Sequence, residues 1–484
     1  MHRLILITLI SALSFAQSDF IKSENLMTTV EYLASEELEG RLGGSEGYYK
    51  AAVFMANEFS KIGLQPFQGK SYFQKFNVEF NEILPPCSLN LIKNENVVKE
   101  YKLGEDYVFR GFTGSGDIKG EVVFAGYGIS SEEIGYDDYK EIDVTDKIVL
   151  VFKENPRWKI DDKNWSEGTP RPKSKVASDK GAKGILFVSF PNDQNPRAPI
   201  GSVLHGSGEQ NVNFPQLHID LHVADDLFKN SGYTLAELQT KIDNEKKPFS
   251  VELKSEVHMV VNAQYEKEKE TVNIIGILPG SDEQLKDEYI IIGAHLDHVG
   301  QQGKEIYFPG ANDNASGSAA VLEIARAFSE QNIQTKRSII FTLFSNEESG
   351  LEGAQFLADN LPVDKNKIVA MLNMDCVGHG DSIQLGNGKS APNLWNLARE
   401  LDKQNAKLTV DATWSGGGAD ATPFHKIGIP TLYIVTRFSY THLHSTTDKP
   451  ETLNPILFEE ITKLAFRTLY KIANGNYVRE EIIN

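Results

Sequence analysis

The sequence predicts an α/β fold, a mixed and mainly parallel sheet sandwiched by helices, with a β-rich domain inserted into it. Three observations carry this. Apolar runs of strand length recur in the second half of the chain, at Tyr289 to Ile292, Ile339 to Phe344, Ile368 to Met374 and Thr431 to Val435, and each reads as a buried strand. Between the first two, Ser316 to Ser329 places Ala320, Val321, Ile324, Ala325 and Phe328 at helical spacing. The middle of the chain has another texture. From about Tyr72 to Tyr265 the apolar segments are short and strand-like and are parted by Gly-rich turns.

Taken in order, Met1-His2-Arg3 is a short basic start, Leu4 to Phe15 an apolar run too short to span a bilayer, and Ser14-Phe15-Ala16 a small-x-small cleavage site. Residues 1–16 are therefore expected to be a signal peptide, and the protein secreted or periplasmic. No Cys comes directly after the run, so no lipid anchor is expected, and no later apolar stretch is long enough to cross a membrane. Within the middle region, Gly120 to Ile129, Asp146 to Phe152 and Lys183 to Ser189 read as strands, and Lys175 to Val188 as a helix followed by a strand. The run Glu154 to Lys175, rich in Pro, Lys, Trp and Asp, is expected to be an exposed loop. Glu266 to Glu270 reads as the return linker before a strand at Val272 to Leu278.

The ends of the later strands are chemically unusual. His295 and Asp297 come at the end of the first, Glu347 and Glu348 after the second, Asp375 after the third, and His442, His444 and Asp448 after the fourth. Asp313 precedes the helical segment. Open parallel sheets keep their sites at the carboxyl ends of their strands. A single carboxylate there is ordinarily a solvated loop residue or a helix cap, and a lone His is ordinarily a satisfied one. Convergence changes the balance, because five acids at neighbouring strand ends would repel one another in a cleft unless cations neutralised them. Mixed imidazole and carboxylate donors without thiolates suit zinc, with cobalt or manganese as substitutes, better than calcium or magnesium.

The series GAHLDHVG (293–300), GANDNASG (310–317), NEESG (346–350), NMDCVG (373–378) and HSTTD (444–448) closely resembles the co-catalytic zinc exopeptidases of the aminopeptidase Y, bacterial leucyl aminopeptidase and glutamate carboxypeptidase type. Leu33 to Ala52 resembles that family's opening, and Ser415 to Thr431 its loop before the last core strand. The insert resembles the protease-associated domain that many members carry. The resemblance implies a discontinuous zinc peptidase domain, residues 20–70 and 268–478, around an insert at 72–265 that either roofs the cleft or is a structural accessory. It implies two zinc ions, one bound by His295 and Asp375, the other by Glu348 and His444, with Asp313 bridging and Glu347 as general base. Asp297 would hydrogen-bond His295 and fix its tautomer. Two ions about 3.5–4 Å apart can hold a bridging water and stabilise both the attacking and the carbonyl oxygen. The peptide after the bridging Asp is cis in the family, so a cis Asp313-Asn314 bond is expected.

Some positions depart from the pattern. Leu443 stands where the family often has a carbonyl-polarising Tyr before the ligand His, which leaves Tyr440 or Tyr433 as substitutes. His442 competes with His444 as ligand, and the spacing to Asp448 favours His444. His298 and His425 are read as structural or surface residues, and Cys376 as a small packing residue. The Gly416-Gly417-Gly418 loop either lets backbone approach the substrate or is a flexible turn.

Removal of amino-terminal residues from peptides is the expected activity. A carboxypeptidase on the same scaffold is the alternative, for which Arg437 could hold the substrate carboxylate. A one-zinc glutaminyl cyclase and a non-catalytic receptor-like binding protein are disfavoured, since no ligand or base is missing. At 484 residues two domains are expected. An apolar share of 40% beside 24% charged residues is globular in composition. The balance of 49 Lys and Arg against 67 Asp and Glu, −18 overall, speaks against nucleic acid or an anionic membrane as partner. With only Cys87 and Cys376 present, one of them beside Asp375, no disulfide is expected.

Overall fold

The computed structural model describes residues 18–483 apart from 67–68, 166–169 and 207. The expected signal peptide, residues 1–16, lies outside the described residues. Two compact units divide the chain: one comprises the chain up to Val78 together with Glu268–Val299 and Phe308–Asn484, and the other Glu79–Lys267 with Gly300–Tyr307.

In the first unit the sheet runs in the order Ile383–Gly386, Thr431–Thr436, Ile368–Met374, Tyr289–His295, Ser338–Phe344 and then the end of Ser250–Leu278. The three central pairings are parallel and the two outer ones antiparallel, so the sheet is mixed and mainly parallel. Strand alternation explains how both faces are filled. Ile290 and Ile292 join a core with Ile339, Phe341, Leu372 and Leu432, covered by the helices Ser23–Leu33, Glu46–Lys61, Gly317–Glu330, Pro392–Lys403 and Pro455–Ala473. Ile291 points the other way, with Ile275, Ile340 and Met371, under the helices Glu352–Asp359 and Ala421–Lys426. Burial on both faces is why these strands are continuously apolar in sequence.

The longest of these helices shows the local logic. Asn454 caps it by accepting from the Leu457 N–H, and Pro455 occupies its first turn, where a missing N–H costs nothing. Leu457, Phe458, Ile461, Leu464 and Ala465 then recur on its buried face. Each large side chain among them contributes roughly 1.5–3 kcal/mol by leaving water.

The second unit has a sheet of its own ordering, with Ser250–Val261 antiparallel to Gly116–Ala125, then Ile148–Phe152, Gly184–Val188 and Gln216–Ile219 in parallel, and Tyr107–Phe109 antiparallel at the edge. Three helices, Arg171–Asp179, Leu221–Phe228 and Leu235–Glu245, belong to it, so it is less exclusively β than its sequence texture suggests.

Three expectations from sequence are corrected by the structure. The segment 300–307, placed by sequence with the peptidase domain, belongs to the second unit, because Gln302 pairs with Ile83 and its side chain bonds both the N–H and the carbonyl of Phe109. Glu266 to Glu270, read as the return linker before a strand, contains the boundary between the units at 267/268 but lies inside the extended strand Ser250–Leu278 rather than ahead of one. The expected exposed loop at Glu154 to Lys175 ends in a helix whose Arg171 and Lys173 are buried, Lys173 donating to the Phe152 and Glu154 carbonyls. Among the described residues no helix is long and apolar enough to cross a membrane.

Candidate metal centre

All the side chains singled out at the strand ends lie in the first unit. His295 is the last residue of its strand, in register with Phe344 on the neighbouring parallel strand. Asp375 follows the next strand, Glu347 and Glu348 come three and four residues after Phe344, and Asp313 sits in the turn entering Gly317–Glu330. In-register parallel strands end side by side, and that brings His295, Glu347, Glu348 and Asp375 together.

Asp313 is the centre of the arrangement. Its Oδ1 is 3.3 Å from His295 Nε2, which is also 3.4 Å from Asp375 Oδ1. Its Oδ2 is 3.3 Å from His444 Nε2, which is 2.8 Å from Glu348 Oε2. His295, Asp313 and Asp375 form a group with metal-ligating spacing, as do His298, Asp313 and Glu348, and His295, Glu347 and Glu348. His442 turns away, its Nδ1 2.9 Å from Thr447 Oγ1. The Asp313-Asn314 peptide is cis.

The turn carrying Asp313 is clamped from every side. Asp448 accepts the N–H groups of Asn312 and Asp313, at 2.9 and 3.0 Å. Asn312 Oδ1 accepts from Gly378 and His379, and Asn314 accepts from Cys376 and donates to the Met374 carbonyl, tying the turn to the loop of Asp375. Arg41 is fully buried, and its guanidinium donates to the carbonyls of Leu33, Leu296, Pro309 and Gly310. One cation thus binds the backbone beside His295 to the backbone before Asp313.

One assignment made from sequence differs in the structure. Asp297 does not hydrogen-bond His295 through its carboxylate. Its two oxygens accept the N–H groups of Glu347 and Glu348, at 3.1 and 3.3 Å, while His295 Nδ1 is 3.2 Å from the Asp297 backbone carbonyl and 3.8 Å from the nearer carboxylate oxygen. The carboxylate therefore fixes the loop of the paired glutamates. His298, read from sequence as structural or surface, is fully buried, with Nδ1 3.0 Å from Glu348 Oε1.

Electrostatics sort the acids. Burial alone would raise Asp313, but hydrogen bonds from His295 and His444 hold it well below the ordinary carboxylate range. Burial also opposes ionisation of Glu348, and the His444 charge beside it brings that carboxyl down to about 2. Glu347 goes the other way, pushed well up by burial and by Glu348 and Asp420, with His295 opposing. Asp297 and Asp448 are each raised to about 7, mainly by burial. The sequence does not single out Asp420, which is fully buried with both carboxylate oxygens unpartnered and adds to the negative field. Its only signal there is its place after the Gly416-Gly417-Gly418 loop, whose three residues all take positive φ, at 96°, 97° and 138°.

Two tyrosines border the centre. Tyr433 is buried and donates to Asp375 Oδ2 at 2.5 Å, so its hydroxyl is already committed. Tyr440 is 55% exposed, its hydroxyl 3.2 Å from that of Tyr433. Both cysteines are free, Cys376 buried beside Asp375.

Fold and cluster together define an α/β protein with a histidine and carboxylate centre at the carboxyl ends of its parallel strands. Residues 273–469 match the model of peptidase family M28. A probable leucine aminopeptidase of Trichophyton verrucosum is 29% identical over 209 residues, 42% of this chain and 57% of that one. The chain thus spans little more than half the length of that relative. A probable glutamate carboxypeptidase of Arabidopsis thaliana is 24% identical over 89% of this chain and 64% of its own. Among solved structures, a zinc aminopeptidase from Bacillus subtilis superposes with a TM-score of 0.66 at 19% identity, covering 96% of this chain and 98% of that chain. At that identity the likeness establishes the fold.

Proposed function

We propose that this protein is a secreted or periplasmic zinc-dependent aminopeptidase that removes amino-terminal residues from peptides. The observation that carries the reading is Asp313, whose two oxygens face two separate sets of donors, His295 with Asp375 and His444 with Glu348. Two imidazoles and three carboxylates without a thiolate fit two zinc ions. Asp375 Oδ1, buried without a hydrogen-bond partner, fits the same role. Bound zinc would polarise the scissile carbonyl and make water acidic enough to be deprotonated near neutral pH.

The chain's own residues supply the rest. Glu347 takes the proton of the attacking water as the water oxygen bonds the carbonyl carbon, and delivers it to the amine as the carbon–nitrogen bond breaks. Asp297 holds the backbone of Glu347 and Glu348 in place for this. Tyr440, whose O–H reaches the Tyr433 oxygen at 3.2 Å because Tyr433 gives its own proton to Asp375, is the donor that would turn to the carbonyl oxygen of a bound peptide. Export rests on residues 1–16, and a mature chain whose sequenced amino end is Met1 would remove that part of the proposal.

A carboxypeptidase is the second reading, favoured by Arg437, which is exposed, lies over the Phe438 ring at 4.8 Å and has no ion pair among the described residues. The deciding experiment is mass spectrometry of peptides offered free, amino-acetylated and carboxyl-amidated to zinc-loaded protein. Loss from the amino end, blocked by acetylation, is expected. Loss from the carboxyl end, blocked by amidation, would establish the second reading, and intact peptides throughout would point to a binding protein.

A further inference from the structure

We infer that His298 is a positioning residue for Glu348, holding that carboxylate so that its second oxygen faces His444 and the ion shared with Asp313. The inference rests on the two-zinc reading above. The two imidazoles take opposite oxygens of one carboxylate: His298 Nδ1 lies 3.0 Å from Oε1, and His444 Nε2 lies 2.8 Å from Oε2. His444 is also the nearer to the bridging residue, at 3.3 Å from Asp313 Oδ2 against 3.9 Å for His298. His298 is thus set back from the site that His444 enters.

Hydrogen-bond chemistry assigns its tautomer. The other ring nitrogen, Nε2, is buried and has no partner. A neutral imidazole carries one N–H, and a buried N–H facing an available carboxylate is far better placed than one facing nothing. The proton therefore sits on Nδ1 and is donated to Glu348 Oε1, leaving Oε2 as the free donor atom.

Packing fixes the ring in that pose. A Cβ on Gly310 would come within 2.6 Å of the His298 ring, and Gly310 has a φ of +58°, so only glycine suits this position beside the imidazole. The backbone N–H of His298 donates to the Arg41 carbonyl at 3.1 Å, and its ring meets that of His444 edge-on, centroids 5.5 Å apart. Residues that orient a ligand in this way act on metal affinity before they act on chemistry.

The test is zinc content by mass spectrometry after dialysis against buffered free zinc, together with the visible absorption of cobalt-substituted protein. Wild-type chain should hold two ions. His298→Leu should weaken one of them about 10- to 100-fold, and should alter the cobalt spectrum. His298→Asn places an amide nitrogen where Nδ1 lies and should restore both ions, whereas His298→Gln reaches toward the Nε2 position and should not. Should the leucine variant fail to fold, the Asn and Gln pair makes the same distinction. Two ions held equally well by wild type and by His298→Leu would overturn the inference alone, as would failure of Asn to rescue. A wild-type chain that binds no zinc would overturn the centre itself and this inference with it.

Discussion

In the first unit, parallel strands ending at His295, Phe344 and Met374 deliver histidines and an excess of carboxylates to one place; in the second, parallel strands ending at Phe152, Val188 and Ile219 deliver Lys153, Ser189 and Asp220. In the second unit these groups are spent locally. Asp220 caps the helix that follows it, accepting from the His222 N–H. Ser189 Oγ lies 3.2 Å from His218 Nε2. Lys153, pushed down to about 8 by burial and by Arg110, has Glu154 beside it at 3.7 Å. The first unit instead gathers Asp297, Asp313, Glu347, Glu348, Asp375 and Asp420 with three imidazoles, His295, His298 and His444, and one buried arginine. Parallel topology makes strand ends converge in both units, and among the described residues the surplus of uncompensated charge makes the first unit's the candidate metal centre.

Substitutions at the charged end should therefore remove function, and elsewhere only stability. The largest effect is expected from Asp313→Ala, which deletes both oxygens that face the two donor sets: zinc content and peptide turnover should fall together in elemental analysis and a peptidase assay. Glu347→Gln should cut kcat by roughly 10²- to 10⁴-fold, the worth of a positioned acid–base group, with zinc content unchanged. Near-normal turnover in that variant would mean that the base is misassigned.

Arg41→Met is expected to cost about 3–5 kcal/mol in urea unfolding, because four buried carbonyls lose their donor at once. An unfolding midpoint equal to wild type would show that the clamp is dispensable. The smallest effect is expected in the second unit. Asp226 is held at about 2 by Lys229, Lys99 and Tyr101 against the opposing effect of burial. Its folded value lies below its ordinary 3.8, so its contribution is complete above about pH 4 and disappears as the pH falls through 2. Asp226→Asn should lower stability by about 1 kcal/mol at neutral pH, and the gap from wild type should close near pH 2. A gap independent of pH would assign the effect to packing, and turnover should be unaffected throughout.

Legibility tracks range along the chain. Strand positions and the residues at their ends are readable because continuous apolar runs and the residues just after them are local facts. His295, Asp313, Glu347, Glu348, Asp375 and His444 all stand out in this way. Arg41 and Asp420 do not, since their meaning lies in partners or neighbours far away in sequence: Arg41 bonds Gly310 across 269 positions. In sequence the Asp297 carboxylate reads as the partner of the nearby His295, but two backbone N–H groups some fifty positions on are better aligned with it. His298 does not stand out because a lone histidine is ordinarily structural, and only its distance to Glu348 says otherwise.

By itself the sequence determined which strands are buried on both faces, which loops carry the histidines and carboxylates of the candidate centre and that a stretch of different texture interrupts them, because hydrophobic periodicity and residue type are properties of short segments. The tertiary structure alone decided which oxygen of Glu348 faces which histidine, that Asp297 serves the glutamate loop, that 300–307 belongs to the second unit, and that one buried arginine ties the turn of Asp313 to the strand of His295. Those are contacts between distant segments, set by strand register and packing, and no local pattern encodes them.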